Sequence, residues 1–396
     1  MKESIYNYHF IINDKEYILN TNNNGLIERT SEIFNEEEQR YLIENNFWVA
    51  DDLDEADELE REINRNIQSG TDDLTLTIEL TNQCNFKCIY CSQEKNEKMM
   101  TKETADAILQ KAKELLAIHK FPSIHIHYFG GEPLMNTPLL LYFDEQFREI
   151  CAAYKAAYIP TITTNGSLLT DELLERIGFH TIQLTLEGME QTHNRLRASD
   201  SFHFQEELNL IERILKKSQS KIILRMNICK QNKDEALKLH QMILGKFGHE
   251  RFEINPNIML KFHENDPVDA LSIKEFADIL FQIRLLMDEL TGNFSLPMPK
   301  PLPCNFLYGN TYAISPEGYC DFCSSYTQNG KTKFTDVDIT AKQKLTFRPE
   351  CRNCKCLPLC LGGCVVQYQL NHEYCIPEKY QMQDIIAHYI AKLQSA

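Results

Sequence analysis

Between Leu74 and Met259 strand-like and helix-like stretches alternate, and no other property of the 396-residue chain limits its fold so tightly. The apolar, β-branched runs Leu74–Leu80, Ile124–Phe129, Tyr158–Thr163, Thr181–Leu186, Lys221–Ile228 and Arg251–Met259 read as strands. Between them, Lys102–Ile118, Leu139–Ala157, Asp171–Ile177, Phe204–Lys217 and Lys233–Phe247 read as helices. Parallel neighbours need a long crossover, and a helix supplies it. Six such units predict an α/β fold, a partial (β/α)6 TIM-like barrel, open where an eightfold barrel would close. Its reactive groups are expected at the carboxyl ends of the strands.

Directly after the first strand stands Thr81-Asn82-Gln83-Cys84-Asn85-Phe86-Lys87-Cys88-Ile89-Tyr90-Cys91, which offers three thiolates. A structural zinc site closes its tetrahedron with four ligands. A cubane iron-sulfur cluster held by three cysteines keeps one iron open, and chance burial of three thiols fits the spacing poorly. The run resembles the C-x3-C-x2-C loop of the radical S-adenosylmethionine (radical SAM) enzymes, including Tyr90 before the last cysteine. That resemblance implies a 4Fe-4S cluster on Cys84, Cys88 and Cys91 whose open iron is chelated by S-adenosylmethionine. Reductive cleavage then yields a 5'-deoxyadenosyl radical that removes a hydrogen atom from the substrate.

Further segments follow in the order the resemblance implies. Gly130-Gly131-Glu132-Pro133 after the second strand is similar to the motif that meets the amino group of S-adenosylmethionine. Glycines allow close backbone approach, and a carboxylate complements an ammonium. Thr164-Asn165-Gly166 resembles the Thr-Asn-Gly segment near the cofactor. Thr185-Leu186-Glu187-Gly188 resembles Ser-Leu-Asp-Gly, with Thr for Ser and the longer Glu for Asp, and Thr185 can still reach a ribose hydroxyl. Arg225-Met226-Asn227 resembles the Arg-x-Asn that touches the carboxylate and ribose. Each also reads as an ordinary polar residue at a barrel end. His125, His127 and His193 fall in the same region and read as structural; Cys151 and Cys229 read as buried free thiols.

The flanks are of different character. Residues 1–70 combine strand-like alternation over Tyr6–Asn20, a turn at Asn22–Gly25, a helical stretch Glu36–Asn45, the apolar run Phe47-Trp48-Val49 and an acidic, exposed helix over Asp51–Arg65. This small α+β module resembles the winged-helix modules that hold leader peptides, and equally reads as an extension packed on the barrel. The barrel is expected over 71–295, with a helix at Ile273–Thr291. A proline-rich spacer over Pro297–Pro303 is stiff and extended.

Residues 296–396 carry Cys351-x2-Cys354-x5-Cys360-x3-Cys364, preceded by Cys304 and Gly318-x4-Cys323 and followed by Cys375. This is similar to the SPASM domain of radical SAM enzymes that modify peptides. The likeness implies one auxiliary 4Fe-4S cluster on Cys351, Cys354, Cys360 and Cys375, and a second on Cys304, Cys323 and Cys364. Cys320 offers itself as a fourth ligand or as a replacement for Cys323, and Cys356 fits no position.

The chain has 14 cysteines, no apolar start and no membrane-length apolar run, so it reads as cytoplasmic and metal-binding rather than disulfide-bonded. A net charge of -16 argues against nucleic acid. The expected function is a peptide maturase that takes a hydrogen atom from a ribosomally made precursor and installs a cross-link such as a thioether. Its partners would be that precursor and an electron donor such as flavodoxin or ferredoxin. An alternative is a formylglycine-generating sulfatase maturase, for which Cys320-Asp321 offers a base while Ser324 after Cys323 does not. A non-catalytic metal-binding interaction protein is a third reading, disfavoured by the intact motifs.

Overall fold

The computed structural model describes residues 1–29, 34–70, 73–93, 95–260, 267–307, 309–321, 323, 330–338, 344–364 and 375–395. Where the sequence suggests three consecutive domains, the chain groups into two compact units built from separated segments. One comprises Met1–Ser69, Ser272–Asn305 and Gln343–Ala396, the other Gly70–Leu271 and Phe306–Lys342.

The first unit begins with β1 (Lys2–Glu3), β2 (Asn7–Ile12), β3 (Lys15–Asn20), β4 (Gly25–Arg29), α1 (Glu36–Glu44), β5 (Trp48–Val49) and α2 (Glu55–Ser69). Strands β2, β3 and β4 form an antiparallel sheet in that order, and β1 pairs with β5. The β2–β3 turn is Asn13-Asp14, both at positive φ (51° and 61°), the backbone that a tight two-residue hairpin requires. Helix α1 starts in a capping box: Asn35 accepts from the Glu37 and Glu38 amides while Glu38 accepts from the Asn35 amide. The acidic stretch expected to be an exposed helix is instead amphipathic. Ala56, Leu59, Ile63 and Ile67 of α2 are buried at helical spacing and most of its charges lie on the opposite face, while Glu55 is buried and accepts from the Ser4 hydroxyl and the Ile5 amide.

Among the described residues the second unit is built on a sheet of nine strands. Six are parallel and adjacent in chain order: β6 (Asp73–Glu79), β7 (Ser123–Phe129), β8 (Ala157–Thr163), β9 (Thr181–Thr185), β10 (Lys221–Ile228) and β11 (Phe252–Ile258). The helices between them are α3 (Lys102–His119), α4 (Thr137–Tyr154), α5 (Asp171–Ile177), α6 (Glu190–Arg197), α7 (Phe204–Lys217) and α8 (Ala236–Phe247). This is the open, partial-barrel α/β arrangement that the alternation predicts. Leu74, Leu76, Ile78, Ile124, Ile126, Leu184, Ile222 and Leu224 are fully buried and alternate with less buried neighbours along their strands.

Three local features differ from expectation. Helix α4 stops at Tyr154 because Lys155 turns left-handed (φ 57°), and Ala157 already pairs with Ser123 in the sheet. Helix α6 was not anticipated, since its eight residues are almost all polar. Beyond β6 the sheet continues with β12 (Thr311–Ile314), parallel to it with Thr311 opposite Thr75, and then antiparallel β13 (Tyr319–Asp321) and β14 (Thr332–Lys333). No periodicity in the tail announced these short strands.

The first unit is completed by α9 (Ile273–Thr291), α10 (Leu357–Cys360) and α11 (Glu378–Ser395). Its core joins the two ends of the chain: Phe10, Tyr17 and Leu19 pack with Leu296, Cys356, Leu359, Ile376, Met382, Ile385, Ile386 and Ile390. Polar contacts repeat the link. The Asn64 side chain exchanges two 2.9 Å hydrogen bonds with the Leu345 backbone, the Phe347 amide donates to Glu60 (2.8 Å), and Arg352 pairs with Asp54 and Asp57. Among the described residues no helix is long and apolar enough to cross a membrane.

Candidate active site

The loop after β6 is pinned at its base by its own backbone. Asn82 and Met100 amides donate to the Lys98 and Leu80 carbonyls (both 2.9 Å), and Thr81 bridges Met99 in antiparallel fashion. The end of β7 then locks onto it: the Gly131 amide donates to the Thr81 carbonyl and the Glu132 amide to the Gln83 carbonyl, each at 2.8 Å. The approach explains both glycines. A Cβ on Gly130, which sits at φ 134°, would overlap the Thr81 carbonyl oxygen, and one on Gly131 would overlap that of Gln83. Farther out, the Ile89 amide donates to the Leu196 carbonyl (3.0 Å), so the far side of the loop rests on the end of α6.

Cys84, Cys88 and Cys91 are carried on this loop. The Cys84 sulfur accepts from the Phe86 amide (3.4 Å) and the Asn165 side-chain amide (3.9 Å). Burial raises the Cys84 and Cys88 thiol pKa values, opposed at Cys84 by the Phe86 amide and at Cys88 by Arg197. A cluster's positive iron would offset that burial and hold them as thiolates.

Glu132 is fully buried and saturated. One oxygen accepts from the Leu134 amide (3.0 Å) and the Thr164 hydroxyl (2.6 Å), the other from the Asn165 amide (2.7 Å). It therefore ties the end of β7 to that of β8 and orients Asn165, whose side chain also donates to Asn85 (2.8 Å). Glu187, at the end of β9, does the same one layer on. It accepts from the Asn227 amide and side chain, both at 2.7 Å, and Tyr90 hydrogen-bonds it. Asn227 in turn accepts from Arg225 Nε (2.7 Å), and Thr185 lies opposite Arg225 in the sheet. Burial raises the pKa of both carboxyls against these hydrogen bonds.

Sequence reasoning missed two charged groups. Arg197, at the end of α6, is 6% exposed, donates to the Tyr90 hydroxyl (3.2 Å) and covers the Phe86 ring at 5.0 Å. Glu207 is fully buried with neither oxygen hydrogen-bonded to a described residue, and burial pushes its pKa up to about 8. A signal for Glu207 existed: it interrupts the apolar stripe Phe204, Leu208, Ile211 and Ile214 of α7. For Arg197 none did. Of the histidines, burial lowers His127 to about 4 and His193 to about 3, so both are neutral; His127 contacts the Thr163 hydroxyl (2.9 Å), and His193 Nδ1 accepts from the Glu187 amide (3.3 Å). Cys151 and Cys229 are buried.

Residues 78–243 match the sequence model of the Radical SAM superfamily, spanning the cysteine loop and every polar strand end just described. These residues carry a radical SAM domain. Its similarity to curated proteins is partial. It is 28% identical over 175 residues to a probable GTP 3',8-cyclase of Methanocella arvoryzae, covering 43% of this chain and 53% of that one. It is 27% identical over 170 residues to the sporulation killing factor maturation protein SkfB of Bacillus subtilis, covering 41% and 38%. This chain thus spans about half or less of the curated relatives it matches. Among solved structures, anSMEcpe with bound AdoMet superposes with a TM-score of 0.61 at 16% identity, over 82% of this chain and 98% of that one. Streptococcus suis SuiB bound to the precursor peptide SuiA superposes with a TM-score of 0.55 at 16% identity, over 95% and 98%. At such identities the likeness is one of fold.

The superfamily implies a 4Fe-4S cluster and S-adenosylmethionine, and the loop fits them: three thiols on one pinned turn, bordered by buried polar strand ends. Among the described residues no three His, Cys, Asp or Glu side chains converge on one metal-ion position. A cubane poses a different requirement, since each thiolate takes its own iron.

Of the tail cysteines, Cys351, Cys354, Cys360 and Cys375 lie in the first unit, close enough that the other three all raise the Cys360 pKa, which burial pushes to about 11. Donors surround them. Arg348 donates to the Cys351 sulfur (3.7 Å), Lys379 to that of Cys375 (3.4 Å), and Cys356 hydrogen-bonds Cys354, lowering its pKa to about 6. This set fits an anionic thiolate cluster. Cys304 and Cys364 belong to the first unit, while Cys320, on β13, and Cys323 belong to the second. Ser324, which bears on the formylglycine alternative, lies outside the described residues.

Proposed function

We propose that this radical SAM protein matures a ribosomally made precursor peptide, abstracting a hydrogen atom and installing a cross-link such as a thioether. The observation that carries the reading is the pinned three-cysteine loop above a row of buried polar strand ends. When bound, the reduced cluster and S-adenosylmethionine supply the 5'-deoxyadenosyl radical. Cys84, Cys88 and Cys91 hold the cluster. Gly130, Gly131 and Glu132 keep the β7 edge at the cofactor's amino group, Glu132 also by fixing Thr164 and Asn165. Tyr90, Thr185, Glu187 and Asn227 border the adenosyl and ribose side, and Arg225 the carboxylate.

The peptide substrate is supported by the fold likeness to SuiB, which spans 95% of this chain, and by the similarity to SkfB. In this reading the tail holds two auxiliary clusters, one on Cys351, Cys354, Cys360 and Cys375, with Cys304, Cys323 and Cys364 as the candidates for the other and Cys320 as a fourth ligand or a replacement for Cys323. Residues 1–70 receive the leader. Among the described residues β4 pairs only with β3, so its free edge can take an added strand, with main-chain hydrogen bonds giving affinity. A flavodoxin or ferredoxin delivers electrons, in a reducing cytoplasm that preserves the thiols.

The test is anaerobic reconstitution with S-adenosylmethionine, a reductant and short peptides encoded beside the gene. Formation of 5'-deoxyadenosine together with a peptide that has lost two hydrogen atoms supports the reading. Cofactor cleavage with no such peptide altered, but with a sulfatase fragment converted to formylglycine, would transfer it to the alternative.

A further inference from the structure

Helix α6, whose eight residues are almost all polar, is fixed at its start and turns its end onto the cysteine loop. The Met189 amide and the Thr192 hydroxyl donate to the Glu235 carboxylate (2.7 and 2.9 Å), the Glu187 amide donates to His193 Nδ1 (3.3 Å), and the Phe204 amide donates to the Asn194 side chain (2.9 Å). A helix cannot satisfy its own last carbonyls. Here loop amides do so: Ile89 donates to Leu196 (3.0 Å) and Lys87 to Ala198 (3.4 Å), with Ala198 turned left-handed at φ 47°. The two bonds bracket Cys88 on the loop and Arg197 on the helix, so these residues stand opposite each other. The Arg197 side chain repeats the bracket. Its Nη1 donates to the Tyr90 hydroxyl (3.2 Å) and its guanidinium lies over the Phe86 ring at 5.0 Å, two residues to either side of Cys88. Arg197 Nε and Nη2 are buried with no hydrogen-bond partner among the described residues. Two donors of a permanent cation are therefore left over opposite a cysteine, where an anion would satisfy them.

We propose that Arg197 is a positioning residue for the three-cysteine loop: it holds the Cys88 arm in its ligating shape before a cluster arrives, and its fixed charge then faces the anionic cluster. The inference rests on the reading that Cys84, Cys88 and Cys91 hold that cluster. The physical ground is general. The end of a helix carries partial negative charge and by itself opposes an anion; a buried cation on its last turn reverses the sign. Positive charge beside a cluster stabilises the more negative, reduced state and so raises its potential. Partners that touch the residues flanking a ligand also orient it.

The test compares the full chain with Arg197→Met and Arg197→Lys, first without iron by hydrogen exchange read by mass spectrometry, then after anaerobic reconstitution by redox titration. The loop cluster is recognised as the electron paramagnetic resonance signal that changes on adding S-adenosylmethionine. In the iron-free Arg197→Met protein, residues 84–91 should exchange roughly tenfold faster, the loss expected of a hydrogen bond from a charged group, while β6, β7 and β8 keep their protection. The loop cluster that still forms should titrate at a more negative potential. Arg197→Lys should restore the potential more than the protection, because an ammonium keeps the charge but not the planar fork. Should Arg197→Met fail to fold, Tyr90→Phe removes the same hydrogen bond and is read by the same exchange. Unchanged exchange over 84–91 would overturn the proposal, and so would an equal loss of protection across the whole sheet, which would make Arg197 a support of the fold alone. A loosened loop whose cluster keeps the parent potential would overturn the claim that the charge faces the cluster. A parent protein with no signal responsive to S-adenosylmethionine would overturn the cluster reading, while exchange in the iron-free chain still decides the positioning.

Discussion

The two cysteine sites are built from opposite materials. Around the β6 loop the Cys84 sulfur meets neutral amides, from Phe86 and Asn165, and the nearby buried groups are mostly carboxyl groups: Glu132, Glu187 and Glu207. Around the tail quartet the donors are the cations of Arg348 and Lys379 and the thiol of Cys356. The difference teaches what each site is for. Under the proposed function, the three-cysteine site leaves one iron free for the cofactor, whereas a closed four-cysteine site needs only charge balance.

The largest effect that would break this contrast comes from the β6 loop itself. Replacing Cys84, Cys88 and Cys91 with Ala should abolish S-adenosylmethionine cleavage while leaving about eight irons, four per cubane, in the tail. Retained cleavage, read by chromatography of 5'-deoxyadenosine, sinks the division of labour.

Next is the truncation of residues 1–70. Because Phe10, Tyr17 and Leu19 share a core with the tail, and Asn64, Glu60 and Asp54 bond it, the deletion should strip iron from the tail quartet and lower the melting temperature. A truncated protein with full tail iron would show that the sheet only covers the cluster.

Arg197 is the exception within the first site, a buried cation beside Cys88. Arg197→Met removes the hydrogen bond to Tyr90 and the cation over Phe86 and should cost about 1.5–3 kcal/mol, the range for a hydrogen bond from a charged group. Iron in the β6 loop should fall and tail iron should not, as separate iron assays in the two cysteine-deleted backgrounds will tell.

The smallest effect is on pH dependence. Glu207 is raised from 4.5 to about 8 in the folded state, so folding retains a proton that the unfolded chain releases. Its contribution is fully present below about pH 4.5 and is lost as pH rises through about 8. Glu207→Gln should flatten the stability profile across that window in urea titrations; an unaltered slope would mean that the carboxyl is ionised in the fold.

Much of this was legible in the chain because it is encoded over short distances. The period of the strands and helices, the turn of Gly130-Gly131 and the spacing Cys84, Cys88, Cys91 are each local, and they sufficed for the parallel sheet, the helix at Ile273–Thr291 and the place of the loop. What the sequence left open depends on contacts between residues hundreds of positions apart. Nothing near Thr311 says that it pairs with Thr75, nothing near Tyr8 says that it meets Cys356, and the polar run Glu190–Arg197 does not reveal that its last residue is buried under the cysteine loop. Burial of such polar groups is tolerated only where distant partners satisfy them. By itself, therefore, the sequence determined the barrel and its three-cysteine loop, whose signals lie within single elements; only the tertiary structure decided that the two chain ends form one unit around the tail cysteines, because that core exists only when remote segments close on each other.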